Sequence, residues 1–255
     1  MKKLLFTILS ALAFNANAQV SDTTKKNITA TPDTAKQFHT NPGSIIVPVA
    51  LVGYGALSFV VQPIRNFDYY VRDKVAVNNP ESYAKVSDYL QLSPIVLVYG
   101  LNLVGVEGKN RFIDRTALLA LSAGILTIAD GSKFLAHRQR PYGTDPLSFP
   151  SGHTGAAFMA AEYLAQEYGE KSAWYSVAGY TIATATGVLR LYGRAHWFSD
   201  CVAGAGLGIL STKAAYLVYP AIRKALAHKD KSGRSTMVMP TYQEGMTGFS
   251  FAMQL

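Results

Sequence analysis

Six stretches of this chain, residues 44–61, 90–106, 115–137, 152–168, 173–191 and 199–219, are long, mostly apolar and rich in Ala, Leu and Gly. Strands in globular proteins rarely exceed ten residues, and every one of these stretches does, so helices are the expectation. Six helices that must each bury an apolar face predict an all-α bundle of about six core helices. The stretch 67–90 mixes Tyr, Val and charged residues at amphipathic spacing and adds short helices. A length of 255 residues is enough for one sizeable core.

The ends read differently. Residues 1–18 carry Lys2 and Lys3, an apolar run from Leu4 to Phe14, and Ala16-Asn17-Ala18. That order matches a secretory signal with an A-x-A cleavage site, and predicts a bacterial exported protein. Residues 19–42, rich in Thr, Lys and Pro, read as a flexible leader. The helical domain is then expected over 43–222, with 223–255 as a tail. In that tail Gly245 and Gly248 lie between short apolar segments and suggest a terminal β-hairpin. No repeat is visible.

A membrane span needs roughly 20 mostly apolar residues. Residues 41–64 contain no charge and qualify; 89–106 and 172–189 are borderline. The others fall short: 116–129 runs into Asp130, Glu162 and Glu167 interrupt the fourth stretch, and Lys213 splits the last. A charge at mid-span costs about 2.5–3.5 kcal/mol unless paired. A cleaved signal leaves the new N-terminus outside the cytoplasm, so three full spans would carry the end of the third helix, where the reactive residues begin, back inside. The expectation is therefore a globular bundle, membrane-associated or integral, in the periplasm.

Lys and Arg number 24 against 16 Asp and Glu, a net charge of +8. A basic chain favours anionic partners: phosphate esters, acidic headgroups or nucleic acid. No dense run of Lys and Arg interleaved with aromatics is present, so nucleic acid is not expected. The single cysteine, Cys201, cannot form an internal disulfide and reads as a small buried residue.

Three short segments concentrate reactive side chains. In the first, Lys133 and Arg140 stand seven residues apart, ahead of Pro141. Seven residues are close to two helical turns, so both cations are expected on one face, as a phosphate clamp or a solvated basic helix end. The second is Pro150-Ser151-Gly152-His153-Thr154. Ser151 reads as an N-cap, and the N–H groups of Gly152 and His153 would then face an anion with the helix dipole behind them. A plain cap with a surface His is the alternative. In the third, Arg190 precedes His196, and Asp200 follows four residues later. One helical turn would set a carboxylate against the imidazole and fix its tautomer. The same spacing also suits a metal pair or a structural hydrogen bond.

Taken together and in this order within 68 residues, K-x6-R-P, PSGH and R-x5-H-x3-D resemble the signature of the type 2 phosphatidic acid phosphatase superfamily. That superfamily includes lipid phosphatases, bacterial non-specific acid phosphatases and vanadium haloperoxidases. The resemblance implies an enzyme, a metal-independent phosphoric ester hydrolase without cofactor. It implies His196 as the nucleophile that forms a phosphohistidine, Asp200 as its orienting partner and His153 as general acid. Lys133, Arg140, Ser151, Gly152 and Arg190 would bind the phosphoryl oxygens. One departure is Leu189, where the family usually places Ser before the Arg. The expected substrate is a phosphomonoester or diphosphate of an envelope lipid: lipid A, phosphatidic acid, phosphatidylglycerophosphate or polyprenyl diphosphate. A soluble periplasmic acid phosphatase is the alternative, and a haloperoxidase a third.

Overall fold

The computed structural model describes residues 43–75, 80–143, 145–226, 236–243 and 246–253. The signal segment and the leader lie outside them. The described helices, in chain order, are α1 (Gly43–Leu57), α2 (Gln62–Lys74), α3 (Pro80–Leu90), α4 (Ser93–Leu103) and α5 (Phe112–Asp130). They continue with the single turn α6 (Lys133–Ala136), then α7 (Gly152–Tyr168), α8 (Ala173–Tyr192) and α9 (Phe198–Leu226). Strands β1 (Thr236–Gln243) and β2 (Met246–Met253) pair antiparallel, Thr236 opposite Met253. The domain is an all-α bundle, and each of the six apolar stretches supplies one of its helices.

The boundaries differ where local chemistry intervenes. The first helix stops at Leu57 rather than Val61, because Pro63 in the first turn of α2 restarts the chain in a new direction. The axes of α1 and α2 meet at 89°. The stretch 67–90 contributes two amphipathic helices, α2 and α3.

Helix α7 lies at the centre, packed against α4, α8 and α9, while α9 also contacts α1 and α5. The core gathers Val98, Leu118, Tyr163, Leu164, Tyr168 and Tyr216, with Ala157, Ala161 and Ala183 at the α7–α8 contact. Glycine sets the approach of α9 to α7. A β-carbon at Gly204 would lie 2.4 Å from the Ser151 carbonyl oxygen, and one at Gly208 2.2 Å from that of Gly155. Small residues four apart let two helix backbones meet at this range, and the contact brings the start of α9 against the start of α7.

The charges that seemed to disqualify membrane spans are paired between helices. Lys213 of α9 reaches Glu162 of α7 at 2.8 Å, and Tyr180 of α8 also donates to Glu162. Arg115 of α5 donates to Glu167 at 3.1 Å. Residues Phe112–Ala136 and Phe198–Lys224 are long and apolar enough to cross a membrane, and the bent α1–α2 pair together forms a third candidate. The expectation that the third and last stretches fall short is therefore corrected. The candidate span of the third stretch runs from Phe112 past Asp130 and through α6 to Ala136, and Lys213 is paired with Glu162 inside the bundle. Cys201 is buried, as its surroundings suggested.

Candidate active site

The three segments converge where α6, the loop 137–151, the start of α7 and the α8–α9 turn meet. Helix α8 ends at Tyr192, and Ala195 N–H returns to the Arg190 carbonyl at 3.1 Å. His196 therefore sits in the turn ahead of α9, not on a helix with Asp200. Asp200, in the first turn of α9, accepts the Trp197 N–H at 2.9 Å, so the four-residue spacing is spent on capping the helix.

His196 is 3% exposed. Its Nδ1 lies 2.7 Å from the Ser148 carbonyl oxygen. A carbonyl only accepts, so Nδ1 carries the proton and Nε2 keeps its lone pair. The expected Asp200–imidazole hydrogen bond is absent: Asp200 Oδ2 stands 3.9 Å from Nδ1. That carboxylate instead accepts from the Ser148 hydroxyl and, at 2.7 Å, from Arg138 Nη1. Ser148 thus touches both Asp200 and His196 and links the two.

The first segment is not one helical face. Helix α6 ends at Ala136 with His137 in the left-handed region at φ 43°. Arg140 lies in an irregular segment, its N–H bonded to the Asp145 carbonyl at 3.0 Å. Two forces oppose a helix here. Pro141 disfavours helical backbone at Arg140. Arg138, meanwhile, is drawn inward to Asp68 at 2.6 Å, Ser199 at 2.8 Å and Asp200. Even so, both predicted cations reach the site. Arg140 Nη1 lies 3.4 Å from His196 Nε2, while its Nε donates to Asp145 at 2.8 Å. Lys133 Nζ donates to Asp130 at 2.6 Å and stands 3.0 Å from where a Gly152 β-carbon would be, hence beside the start of α7.

Ser151 occupies the N-cap position of α7, but its hydroxyl pairs with Thr154 Oγ1 at 2.9 Å instead of capping a backbone N–H. Its own N–H donates to the Asp200 carbonyl at 3.1 Å, tying the start of α7 to α9. Across from these groups, His153 Nε2 lies 2.8 Å from Asp88 Oδ1. Arg190 Nη1 approaches the same oxygen at 3.7 Å and donates to Ser87 at 3.1 Å. Arg190 Nε is buried without a hydrogen-bond partner.

Burial, and then the Arg190 and Arg140 charges, push the His196 imidazole well below its usual range. Burial followed by Arg190 also lowers His153, against the opposing pull of Asp88. A neutral, buried imidazole with one nitrogen pinned and the other facing an arginine can attack an electrophile whose oxygens the surrounding cations hold. Among the described residues no group of three or more His, Cys, Asp or Glu stands together to hold a metal.

Sequence reasoning missed Ser148, Asp88, Arg138 and Asp68. Arg138 had a signal, since a buried Asp200 needs a cation and Arg138 stands inside the first segment. Asp88 and Asp68 carried none, because α3 and α2 contain no motif and reach the site only through tertiary packing.

Residues 116–224 match the PAP2 superfamily. A lipid A 1-phosphatase of Porphyromonas gingivalis is 31% identical over 229 residues, 84% of this chain and 49% of the relative. The chain thus spans about half the length of that curated relative. Among solved structures, a transmembrane PAP2-type phosphatidylglycerolphosphate phosphatase from Bacillus subtilis shares 18% identity over 71% of this chain and 97% of its own, at a TM-score of 0.49. Aquifex aeolicus LpxE shares 18% over 59% and 92%, at 0.44.

Proposed function

The chain belongs, through residues 116–224, to the PAP2 superfamily, and from that premise we propose that it is a lipid-phosphate phosphatase working through a phosphohistidine. One observation carries the proposal: a buried His196, its Nδ1 proton held by Ser148, presents Nε2 toward Arg140. Lys133, Arg190 and His153 border the same site.

In the proposed reaction His196 Nε2 attacks phosphorus. Arg140, Lys133, Arg190 and the first-turn N–H groups of α7 hold the phosphoryl oxygens and the charge that develops on them. The bond from phosphorus to the leaving oxygen breaks, and His153 protonates that oxygen. His153 then takes a proton from water, which attacks the phosphohistidine and frees His196 with inorganic phosphate. Burial, and then the Arg190 charge, lower His153 basicity. A phosphoryl dianion adds charge of opposite sign and raises it, so the acid is armed only when substrate is bound.

The lipid class rests on two supports. The matched relative is a lipid A 1-phosphatase. Large apolar side chains also stand exposed along α4 to α6, including Val96, Leu103, Phe112, Ile128 and Leu135, where a soluble acid phosphatase would expose polar ones. Export to the periplasm, with the site on the outer face of the inner membrane, completes the reading.

The test is turnover of a panel of lipid A, phosphatidic acid, polyprenyl diphosphate and p-nitrophenyl phosphate, with acid-labile phosphate traced to His196. Wild type should favour a lipid, withstand EDTA and be inhibited by vanadate. His196→Ala should lose at least about a thousandfold in rate with the fold retained. Wild-type rates in that variant would overturn the mechanism.

A further inference from the structure

Asp88 occupies a position that a substrate oxygen needs. Its Oδ1 lies 2.8 Å from His153 Nε2 and 3.7 Å from Arg190 Nη1. An oxygen between the general acid and a phosphoryl-binding guanidinium is where the leaving oxygen of a phosphate ester would sit. The carboxylate supplies the same atom type and charge sign. Substrate and Asp88 therefore compete for one place.

Asp88 is free to leave. Its side chain is 52% exposed, whereas Arg190 is 8% and His153 33% exposed. It lies in the last turn of α3, which packs chiefly on α8. Its departure needs only a side-chain rotation toward water. The groups its carboxylate faces are His153 and Arg190. Each of them is also a partner for phosphate.

The surroundings decide who can displace it. Tyr89, beside Asp88, is 83% exposed, and Val86 and Leu92 flank them in the open. A small phosphate must expel a carboxylate already held by His153 and Arg190 and gains no apolar contact in return. A phosphate carried on a lipid lays apolar surface over Val86, Tyr89 and Leu92 as it enters. Binding energy from that remote part offsets the displacement.

We infer that Asp88 is a specificity-determining residue that holds the phosphate site against free phosphate and small esters and yields it to phosphates bearing an apolar body. The inference rests on the phosphatase reading above. Discrimination of this kind works by weakening the wrong ligand more than the right one.

Asp88→Asn keeps shape and hydrogen bonding but removes the charge, and Asp88→Glu keeps the charge. The experiment measures inhibition by inorganic phosphate, and kcat/KM for p-nitrophenyl phosphate and for a lipid phosphate in mixed micelles. Inorganic phosphate binding is followed in parallel by calorimetry. The half-exposed pair is screened, so the effect is modest: Asp88→Asn should bind phosphate roughly three- to tenfold tighter. Its preference for lipid over p-nitrophenyl phosphate should narrow by a similar factor, and Asp88→Glu should resemble wild type. Unchanged or weaker phosphate binding in Asp88→Asn overturns the inference. So does an equal fall in kcat on both substrates with KM unchanged, which would mark Asp88 as a support for His153. Calorimetry needs no turnover, so wild-type inactivity on every ester would sink the phosphatase reading while still testing Asp88.

Discussion

Ser148 holds His196 from one side and Asp200 from the other: its carbonyl oxygen lies 2.7 Å from His196 Nδ1, and its hydroxyl donates to the Asp200 carboxylate. Orientation of the imidazole therefore passes through the 145–151 loop. Ser148→Ala keeps the carbonyl but releases the loop from Asp200. One lost hydrogen bond in a positioning role should lower kcat about tenfold with little change in KM. Asp200→Asn should fall in the same sense, and the double variant should be no worse than the worse single one. Wild-type kinetics for Ser148→Ala beside an inactive Asp200→Asn would instead make Asp200 the direct partner.

Much of this was legible in the sequence, for a physical reason. Helix length and apolar content are local properties, so all six long stretches appear as helices. The identities of His196, Arg140, Lys133, Arg190 and His153 at one site were legible because three segments carry them in close succession. Geometry was less so. Spacing suggested that His196 and Asp200 share a helical turn and that Lys133 and Arg140 share a face. Both ideas fail because Asp200 caps α9 and Arg138 pulls its segment inward. Asp68 and Asp88 reach the site across 131 and 65 residues of chain respectively from Ser199 and His153. Neither separation leaves a trace in local pattern.

Arg138 joins two buried carboxylates, Asp68 on α2 and Asp200 on α9. Both carboxylates are fully buried, while the guanidinium is 13% exposed. Arg138→Met should destabilise the protein by about 3–5 kcal/mol, because it strands two charges with only hydroxyl and backbone donors left. Arg138→Lys should recover part of that, since one ammonium cannot fork to both sites. Chemical denaturation in detergent measures it. Equal stability of Arg138→Met and wild type would mean that the two carboxylates are protonated or hydrated.

Stability should depend on pH through His196. Its folded pKa lies below the usual value of about 6.5, chiefly by burial, so the fold disfavours the imidazolium. Below that pH the unfolded chain binds a proton that the folded chain refuses. Stability is thus complete above about pH 6.5 and is lost as pH falls toward the folded pKa, by at most about 1.4 kcal/mol per pH unit for one group. His153, also lowered, adds the same sign. Thermal unfolding between pH 7 and pH 5 should show Tm falling, and His196→Asn, which keeps a donor for Ser148, should flatten the fall. An identical slope in that variant would assign the effect elsewhere.

The Lys213–Glu162 contact at 2.8 Å links the middle of α9 to α7 and decides how that helix tolerates an apolar surrounding. Lys213 is 13% exposed and Glu162 4%. Tyr180 and Gln166 also donate to the carboxylate, so Glu162 is well satisfied as an anion while the cation is present. Lys213→Met leaves that anion uncompensated and should cost about 3 kcal/mol. The double change with Glu162→Gln removes both charges, keeps the hydrogen bonds and should restore most of the loss. Unfolding of the two variants in detergent, beside retention of wild type in the membrane fraction after a carbonate wash, reads both halves of the claim. If Lys213→Met is as stable as the double variant, the pair does not stabilise α9 within the bundle.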